Sequence, residues 1–361
     1  MRIPINDLKR RHAPLAAELR AAVDRVLAGG WYILGPEVEA FEHEFARYCG
    51  SQHCIGVGNG TDALELALLA LGLLPGAEVA TVANAGMYST TAILRAGATP
   101  LYIDVEESSM TMSPRALEAA LSSRTAAVIV THLYGQMADM EVLLAIAAKA
   151  KLPVIEDCAQ AHGASRAGRK AGAWGDLGCF SFYPTKNLGA AGDGGAVITS
   201  NAGLAYKIRA LREYGWTARF HSTLAGGRNS RLDEVQAAIL RTQLPYLDEW
   251  NTRRRAIARL YAQNIAAPEI ILPAAGDDYV AHLYVIRSPR RDRLQKALAA
   301  AAIGTGIHYP VPDHLQPSVR DVAFRRTPLP VTEALAGGIL TLPCFPELTD
   351  QEVCQIANIA S

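Results

Sequence analysis

Between residues 53 and 199 the sequence alternates short apolar runs with amphipathic helical patterns, and this alternation constrains the fold more than any other feature. Each run is mostly apolar and bounded by turn-forming residues, which is typical of a buried strand. The predicted strands cover residues 53–57, 78–82, 99–105, 126–132, 153–157, 177–183 and 195–199. The predicted helices between them cover residues 61–71, 88–95, 114–121 and 140–151. Because strands separated by helices pair in parallel, we expect an α/β fold with a mostly parallel sheet covered by helices on both faces.

The pattern changes on both sides of this region. Helices are predicted at residues 14–27, 36–49, 201–214 and 232–262, and Pro245 should break the last of these. Beyond it, strands are predicted at residues 278–287 and 306–309, and helices at residues 292–302 and from about Val331 and Thr349. We therefore expect a large domain, residues 1–245, and a smaller C-terminal α+β domain, residues 246–361. The first 30 residues of the large domain would form an N-terminal arm and helix.

The charge of the chain is balanced, with 35 basic and 35 acidic residues. Such a chain has no overall field to gather nucleic acid or an anionic membrane, so an anionic ligand needs a local site. The six cysteines form no CxxC pair, and we find neither a signal peptide nor the apolar run of about eighteen residues that a membrane span needs. We expect a cytoplasmic protein without nucleic-acid or membrane partners and, since no Cys/His spacing suggests zinc, without a metal.

A glycine-rich segment, Gly56-Val-Gly-Asn-Gly-Thr-Asp62, joins the first predicted strand to the next helix. Its glycines let the backbone approach a ligand, and the N–H groups at the helix start, with the Thr61 hydroxyl, favour an anion such as phosphate. It is neither a dinucleotide fingerprint nor a P-loop, since Thr61 replaces the last glycine and no Gly-Lys-Ser/Thr follows. A glycine-rich turn in which Thr61 only caps the helix is the alternative.

Two carboxylates, Glu156 and Asp157, end the predicted strand at residues 153–157. Ligands of open α/β sheets lie beyond the carboxyl ends of the strands, so Asp157 is placed to meet a cationic ring nitrogen. Gln160 and His162 follow on the same loop. The alternative is an aspartate that caps a helix, with polar loop residues nearby.

Lys186 stands in a loop bracketed by glycines after the predicted strand at residues 177–183. A lysine that forms a Schiff base needs a neutral amine, which a partly desolvated site supplies by lowering the lysine pKa. A lone lysine is more often a solvated surface residue. However, an anion site, an acid at a strand end and a lysine in a tight loop, in this order, are the parts that a pyridoxal-phosphate site requires.

Six ordered motifs carry a family resemblance. They are Gly58-Asn-Gly-Thr-Asp-Ala-Leu64, Glu156-Asp-Cys-Ala-Gln-Ala-His-Gly163, Ser181-Phe-Tyr-Pro-Thr-Lys-Asn-Leu188, Gly192-Asp-Gly-Gly-Ala196, Asn229-Ser-Arg-Leu-Asp-Glu234 and Gly306-Ile-His-Tyr-Pro-Val-Pro312. Over essentially its whole length the chain resembles the DegT-type family of sugar aminotransferases, which have the aspartate-aminotransferase fold, type I of the pyridoxal-phosphate enzymes. The resemblance implies a mixed, mostly parallel sheet of the seven-stranded type and a homodimer whose active sites are shared across the interface.

The resemblance also implies roles for the matching residues. Lys186 matches the lysine that binds the cofactor as a Schiff base and then moves a proton between cofactor and substrate carbons. Asp157 matches the acid that keeps the pyridine nitrogen protonated, and Gln160 matches a hydrogen-bond donor to the ring hydroxyl. The phosphate ligands are matched by Gly60, Thr61, Ser181 and, reaching across from the partner subunit, Asn229. Residues on the sugar-nucleotide side of the cleft are matched by His308, Tyr309 and His314, and His162 would lie beside the cofactor.

One segment departs from the common pattern of the family. Many relatives carry an aromatic side chain, in an Asn-Thr-Phe-like motif, that stacks on the cofactor, whereas this chain has Ala83-Asn-Ala-Gly-Met-Tyr-Ser89, with glycine at position 86. Tyr88 is the first candidate for the stacking residue and Met87 the second. This version of the motif resembles members that aminate the 3-keto position of thymidine-diphosphate deoxysugars.

The expected reaction is transfer of an amino group from an amino acid, by family analogy L-glutamate, to a keto group of a nucleotide-linked deoxyhexose. Pyridoxal 5'-phosphate (PLP) would cycle through pyridoxamine phosphate, and Arg219, Arg228 or Arg231 would bind the diphosphate unless they form interface salt bridges. A 4-keto sugar aminotransferase is one alternative. A deoxygenating dehydratase would carry histidine in place of Lys186, and a regulatory protein without transaminase activity would have lost Lys186 or Asp157.

Overall fold

The computed structural model of the protein describes residues 2–274 and 276–361. The strands are β1 (His53–Val57), β2 (Glu78–Val82), β3 (Thr99–Ile103), β4 (Thr125–Thr131), β5 (Val154–Asp157), β6 (Ser165–Arg166), β7 (Arg169–Lys170), β8 (Leu177–Ser181), β9 (Gly195–Thr199), β10 (Trp216–Ala218), β11 (His221–Ser222), β12 (Tyr284–Arg287), β13 (Arg325–Arg326) and β14 (Ile339–Leu342). The α-helices are α1 (Leu8–His12), α2 (Ala16–Gly29), α3 (Pro36–Cys49), α4 (Gly60–Leu71), α5 (Tyr88–Arg95), α6 (Pro114–Ala120), α7 (Met140–Lys149), α8 (Ala202–Leu211), α9 (Glu234–Gln243), α10 (Leu247–Asn264), α11 (Arg291–Ala300), α12 (Pro330–Gly338) and α13 (Asp350–Ala360).

The central sheet has the strand order β1-β9-β8-β5-β4-β2-β3-β13. Strand β9 pairs antiparallel with both β1 and β8, and the other neighbours pair in parallel. All the strands predicted between residues 53 and 199 lie in this sheet, so the predicted fold class is confirmed. The two residues of β13 extend the sheet beyond β3, although they come from the C-terminal part of the chain.

Apolar side chains of the sheet pack against helices on both faces, as parallel strands require. One core contains apolar residues of α4, α5 and α8, and the other contains those of α3, α6, α7 and α9. A third core joins α10, α11 and α13 to the pair β12 and β14, and it includes Ile3 from the N-terminal arm. None of the helices among the described residues is both long and apolar enough to cross a bilayer.

Three local differences from the sequence expectations have physical reasons. The helix predicted at residues 232–262 is interrupted by a 3₁₀ turn, Leu244–Tyr246, that contains Pro245, so the predicted break is confirmed. The strand predicted at residues 278–287 was wrong in its first half, where Tyr279 makes an isolated bridge to Gln136 and the continuous pairing, with β14, begins at Tyr284. The strand predicted at residues 306–309 was wrong, because Gly306 makes a single bridge to Thr341 and the pairing goes no further among the described residues. The domain boundary near Pro245 stays a prediction.

Glu234, which is 1% exposed, connects the start of helix α3 to the start of helix α9. One carboxylate oxygen of Glu234 accepts hydrogen bonds from the backbone N–H groups of Gly35 (2.8 Å) and Val38 (2.9 Å). The other accepts from the N–H of Glu37 at 2.8 Å. A negative charge at the N-terminus of a helix also interacts favourably with the helix dipole. Glu234 therefore holds the N-terminus of α3 against the N-terminus of α9.

We predict that Glu234→Ala lowers the free energy of unfolding by about 3 kcal/mol, because three buried N–H groups lose a charged acceptor. Glu39→Ala is the matched control, since Glu39 is exposed in the first turn of the same helix; it should change the free energy by less than about 0.5 kcal/mol. Urea unfolding followed by circular dichroism measures both values. Equal losses in the two variants would contradict the anchoring role.

Candidate active site

A cavity of about 550 Å³ lies at the carboxyl ends of the central strands. Strand β5 ends at Asp157, β8 ends at Ser181, and α4 begins at Gly60 after β1. The cavity is lined by Asn59, Gly60, Thr61, Leu64, Tyr88, Asp157, Ala159, Gln160, Ser181, Tyr183, Thr185, Lys186, Asp193, His282, Leu283, His308 and Tyr309. The three segments that the sequence singled out thus meet at one place, the usual ligand position of an open α/β sheet.

One end of the cavity has the donors of an anion site. Helix α4 is capped by Asn59, whose side-chain oxygen accepts from the N–H of Asp62 at 2.8 Å, and Gly60 and Thr61 form the first turn. Gly60 packs directly on Ser181, since a β-carbon at position 60 would lie 2.6 Å from that of Ser181. The absent side chain therefore brings the Ser181 hydroxyl to the N-terminus of α4. Backbone N–H groups and hydroxyls at a helix start suit a phosphate.

Asp157 is 5% exposed and has few hydrogen-bond partners. One oxygen accepts from the N–H of Ala159 at 3.2 Å, and the other accepts from the hydroxyl of Ser89 at 3.4 Å. Burial raises the pKa of the Asp157 carboxyl, and the hydrogen bond from Ala159 and the nearby Lys186 charge act against that rise. A buried carboxylate with spare acceptor capacity fits a protonated ring nitrogen, which would favour its charged form.

The Lys186 amine lies in the same cavity. Burial lowers the pKa of Lys186 to about 8, and the Asp157 carboxylate acts in the opposite direction. The backbone of the loop is fixed on both sides, because the N–H of Lys186 donates to Tyr183 O at 2.8 Å and its carbonyl accepts from Arg11 Nη1 at 2.8 Å. The lowered pKa raises the fraction of neutral, nucleophilic amine near physiological pH.

Gln160 joins two sides of the cavity. Its side-chain oxygen accepts from the N–H of Tyr134 at 2.6 Å, and its Nε2 donates to the hydroxyl of Tyr309 at 3.2 Å. The oxygen is engaged with the backbone, so the amide nitrogen is the group turned towards Tyr309. The predicted role of Gln160 as a donor to the ring hydroxyl stays a prediction.

The glycine at position 86 is explained by Tyr309. Gly86 has a φ of +77°, and a β-carbon there would lie 2.9 Å from atoms of the Tyr309 ring. The Tyr88 ring stands edge-on to Tyr309, with centroids 6.0 Å apart and an angle of 75° between the planes. Both tyrosines line the cavity, whereas Met87 is absent from its described lining. Tyr88, the first candidate for the stacking residue, thus lines the cavity beside Tyr309, and its stacking role stays a prediction.

Four predicted site residues lie outside this chain's cavity lining as described. His162 is fully buried against the rings of Phe180 and Phe182. His314 is bonded through Nε2 to Glu333 at 3.0 Å. Arg219 is exposed beside β10, and Asn229 makes a backbone bridge with Glu213. The roles predicted for these residues stay predictions.

Arg228 is already paired within the chain. Its guanidinium bonds to the buried carboxylate of Glu65 and lies 3.9 Å from Asp62. The neighbouring hydroxyl of Ser230 donates to Asp62 at 2.7 Å. This segment is thus tied to the first two turns of α4, next to the anion site.

The described lining also includes polar residues that the sequence did not single out: Asn59, Tyr183, Thr185, Asp193 and His282. All but His282 lie inside or beside a quoted motif, so the motifs themselves are the signal that would have found them. His282 stands in a segment without a motif, and only the tertiary structure brings it to the cavity.

A second buried carboxylate, that of Glu156, lies behind the site. Its Oε1 accepts from the N–H groups of Trp174 and Gly175, both at 2.7 Å. Its Oε2 lies 2.9 Å from both the N–H of Gly172 and Nε2 of His132. The ligand atoms of His132, Glu156 and Cys158 are close enough to hold a metal ion. The carboxylate oxygens, however, are already engaged by four protein groups, which explains the cluster without an ion.

Comparison with protein families identifies the chain. Residues 14–360 match the model of the DegT/DnrJ/EryC1/StrS aminotransferase family. The chain belongs to this family. The predictions of the family and of a pyridoxal-phosphate-dependent transaminase are therefore confirmed.

Curated relatives match nearly the whole chain. The dTDP-3-amino-3,4,6-trideoxy-α-D-glucose transaminase of Streptomyces venezuelae is 45% identical over 361 residues, covering 99% of this chain and 95% of that protein. The UDP-N-acetyl-3-dehydro-α-D-glucosamine 3-aminotransferase of Acidithiobacillus ferrooxidans is 44% identical, covering 99% and 96%. The erythromycin biosynthesis sensory transduction protein EryC1 of Saccharopolyspora erythraea is 45% identical, covering 97% and 96%.

Solved structures agree in fold. DesV of S. venezuelae, in complex with a ketimine intermediate, has a TM-score of 0.95 and 44% identity, covering 99% of this chain and 97% of that one. NtdA of Bacillus subtilis, with bound cofactor PMP, has a TM-score of 0.91 and 30% identity, covering 99% and 84%. PMP, pyridoxamine phosphate, is the amino form of the predicted cofactor.

We predict that Lys186 of the cofactor-free protein reacts with an amine-directed acylating reagent with a pH midpoint near 8. Below that pH the ammonium form predominates and the rate falls. Asp157→Asn should move the midpoint lower, because the carboxylate raises the lysine pKa. Peptide mapping by mass spectrometry measures the rate, with exposed Lys149 in the same sample as the control. A midpoint equal to that of surface lysines would show that Lys186 is not desolvated.

Proposed function

We propose that the protein transfers an amino group from L-glutamate to the 3-keto group of a dTDP-linked deoxyhexose. The observation that carries this proposal is the convergence of Lys186, Asp157 and the Gly60–Ser181 anion site on one cavity of about 550 Å³. An amine, an acid and a phosphate site that line one cavity match the reactive ends of a single pyridoxal phosphate molecule. Family membership fixes the transaminase class, and the site residues, the donor and the exact sugar are the proposed parts.

Each proposed role follows from the surroundings of the side chain. When bound, the cofactor supplies a ring that accepts electrons from the reacting carbon. Asp157 would hold the proton on the ring nitrogen, and Gln160 would offer its amide nitrogen to the cofactor. Lys186 would supply the amine that binds the cofactor and would afterwards take and return one proton. Gly60, Thr61 and Ser181 would hold the phosphate.

The position of amination has more support than the nucleotide. The S. venezuelae and A. ferrooxidans relatives are both named for chemistry at carbon 3, although one is dTDP-linked and the other UDP-linked. The dTDP-3-amino-3,6-dideoxy-α-D-galactopyranose transaminase of Aneurinibacillus thermoaerophilus, 45% identical, also fits this pattern. We therefore place the 3-keto sugar first and a 4-keto sugar second.

A regulatory protein without transaminase activity is the alternative from another class. It is suggested by the sensory-transduction name of the S. erythraea relative. A chain that only binds an effector has no need of a desolvated lysine facing a buried acid. Here the pKa of Lys186 is lowered and Asp157 lies in the same cavity, which favours catalysis.

We also propose that the active enzyme is a homodimer in which Asn229 completes the phosphate site of the partner. In this chain Asn229 is outside the described cavity lining. Two large aromatic residues are exposed on the surface: Phe220, near Asn229 in the sequence, is 73% exposed, and Trp31 is 61% exposed. A second copy would cover apolar surface of this kind.

We predict that the wild-type protein, loaded with pyridoxal phosphate, aminates a nucleotide-linked 3-keto sugar with L-glutamate as donor, and that Lys186→Ala abolishes turnover. The assay is a panel of dTDP- and UDP-linked 3-keto and 4-keto sugars analysed by mass spectrometry. Circular dichroism and sedimentation of Lys186→Ala control for folding. Normal turnover by Lys186→Ala would refute its role, and turnover of 4-keto sugars alone would refute the proposed position.

Shared sites predict complementation between two defective variants. Lys186→Ala is inactive, and Asn229→Ala should bind the cofactor about tenfold more weakly after losing a phosphate hydrogen bond. The isolated heterodimer of the two has one native site of two, so it should show about half of the wild-type activity at a cofactor concentration that leaves Asn229→Ala largely unloaded. Co-expression with two affinity tags isolates the heterodimer. Absence of rescue would place Asn229 in the site of its own subunit or outside both.

A further inference from the structure

His282 lines the active-site cavity but has no role in the chemistry derived above. It belongs to the irregular segment before β12 and is 7% exposed. Its backbone is held by the buried Arg254, whose Nη1 donates to the carbonyl oxygens of Ala281 (3.2 Å) and His282 (3.4 Å) and also bonds to the carbonyl of Cys344. The imidazole is thus placed on the cavity wall by a rigid support.

A chain of amides fixes the protonation of this imidazole. Asn251 Nδ2 donates to the carbonyl of His162 at 2.8 Å, so Asn251 Oδ1 is the acceptor for Asn187 Nδ2, also at 2.8 Å. Asn187 Nδ2 further donates to the carbonyl of Val280 at 3.2 Å. Both hydrogens of Asn187 Nδ2 are therefore used, and its Oδ1 faces Nδ1 of His282 at 3.0 Å.

Since Asn187 Oδ1 can only accept, His282 Nδ1 must carry the hydrogen. In a neutral imidazole the other nitrogen, Nε2, is then an acceptor without a hydrogen. Nε2 has no hydrogen-bond partner among the described residues. Both ring nitrogens of His162 are also unpaired, but they are fully buried, whereas Nε2 of His282 is not. The free lone pair of His282 is therefore open to the cavity that the residue lines.

The surroundings keep His282 neutral. Burial lowers its pKa well below the ordinary value, and the positive charges of Lys186 and Arg254 lower it further. His162 and His308 act in the same direction. Protonation of Nε2 would place another positive charge among these groups, so the nitrogen stays an acceptor across the physiological range.

We propose that His282 Nε2 accepts a hydrogen bond from a hydroxyl of the sugar substrate and thereby selects among keto sugars. The inference rests on the proposed function and adds a specificity-determining residue to it. The two substrates of the reaction differ in what they offer a bare acceptor. Apart from the amino group that is transferred, L-glutamate brings carboxylates, which only accept hydrogen bonds, whereas a sugar brings hydroxyls beside its keto carbon. A fixed lone pair therefore favours the sugar and disfavours a carboxylate at this point.

The test separates the two half-reactions. His282→Asn keeps a donor near the position of Nδ1, for Asn187, and removes the acceptor at Nε2. His282→Gln places an amide near Nε2 and gives up the bond to Asn187. With the pyridoxamine form of the enzyme and the best sugar of the panel, His282→Asn should lower the single-turnover kcat/KM about tenfold, the value of one uncharged hydrogen bond. His282→Gln should recover part of this loss, and the half-reaction with L-glutamate should fall less.

Deoxy sugars identify the bonded group. The wild-type enzyme should lose about tenfold in kcat/KM on one analogue in which a hydroxyl next to the keto carbon is replaced by hydrogen. His282→Asn should show no such difference between the sugar and that analogue.

Three results would overturn the inference: equal losses in both half-reactions, an unchanged sugar half-reaction in His282→Asn, or the same penalty for every deoxy analogue in both proteins. If His282→Asn fails to fold, His282→Gln is compared with the wild type on the deoxy sugars. A hydrogen bond at Nε2 predicts that the activity lost in His282→Gln is smaller on one deoxy analogue than on the parent sugar. An equal loss on all the sugars would overturn the inference. If the wild-type enzyme aminates no sugar of the panel, the proposed function fails, and this inference fails with it.

Discussion

The carboxylate of Glu156 is the constraint on which the active site depends. Successive side chains of a strand point to opposite faces of the sheet, so Glu156 and Asp157 at the end of β5 face different surroundings. Glu156 is enclosed by the N–H groups of Gly172, Trp174 and Gly175 and by His132. These hydrogen bonds fix the end of β5 and the loop behind it. The carboxylate of the next residue, Asp157, keeps spare acceptor capacity and lines the cavity. One carboxylate is satisfied by the protein and the other is free for a ligand.

Much of the fold follows from the sequence because buried parallel strands are short apolar runs between turn residues. The strands from His53–Val57 to Gly195–Thr199 were predicted in this way, and the structure differs from the expectations mainly at their ends. The C-terminal part was harder, since its pairings are isolated or join distant segments. Gly306 meets Thr341 through one bridge, and Arg325–Arg326 pairs with the edge strand Thr99–Ile103, more than 200 residues earlier in the chain. Neither pairing has a local pattern that a sequence displays.

The candidate site also has residues that the sequence reveals and residues that it does not. Residues inside contiguous motifs, such as Gly60, Asp157 and Lys186, are visible in the sequence because one strand end or helix start carries the whole signal. His282 is not visible, because its orientation depends on Asn187 and Asn251 and its backbone on Arg254, which lie on separate elements. A buried hydrogen-bond network of this kind is specified by tertiary packing, and its members are individually unremarkable polar residues.

The contact between Gly86 and Tyr309 has a consequence for how such enzymes diverge. The ring of Tyr309 occupies the volume that a side chain at position 86 would need, and the φ of +77° makes that position costly for other residues. The two sites are therefore interlocked: a bulky residue can enter the first only if the second shrinks or turns away. Grafting one loop between family members without its counterpart would produce a steric collision, so the pair has to be exchanged as a unit.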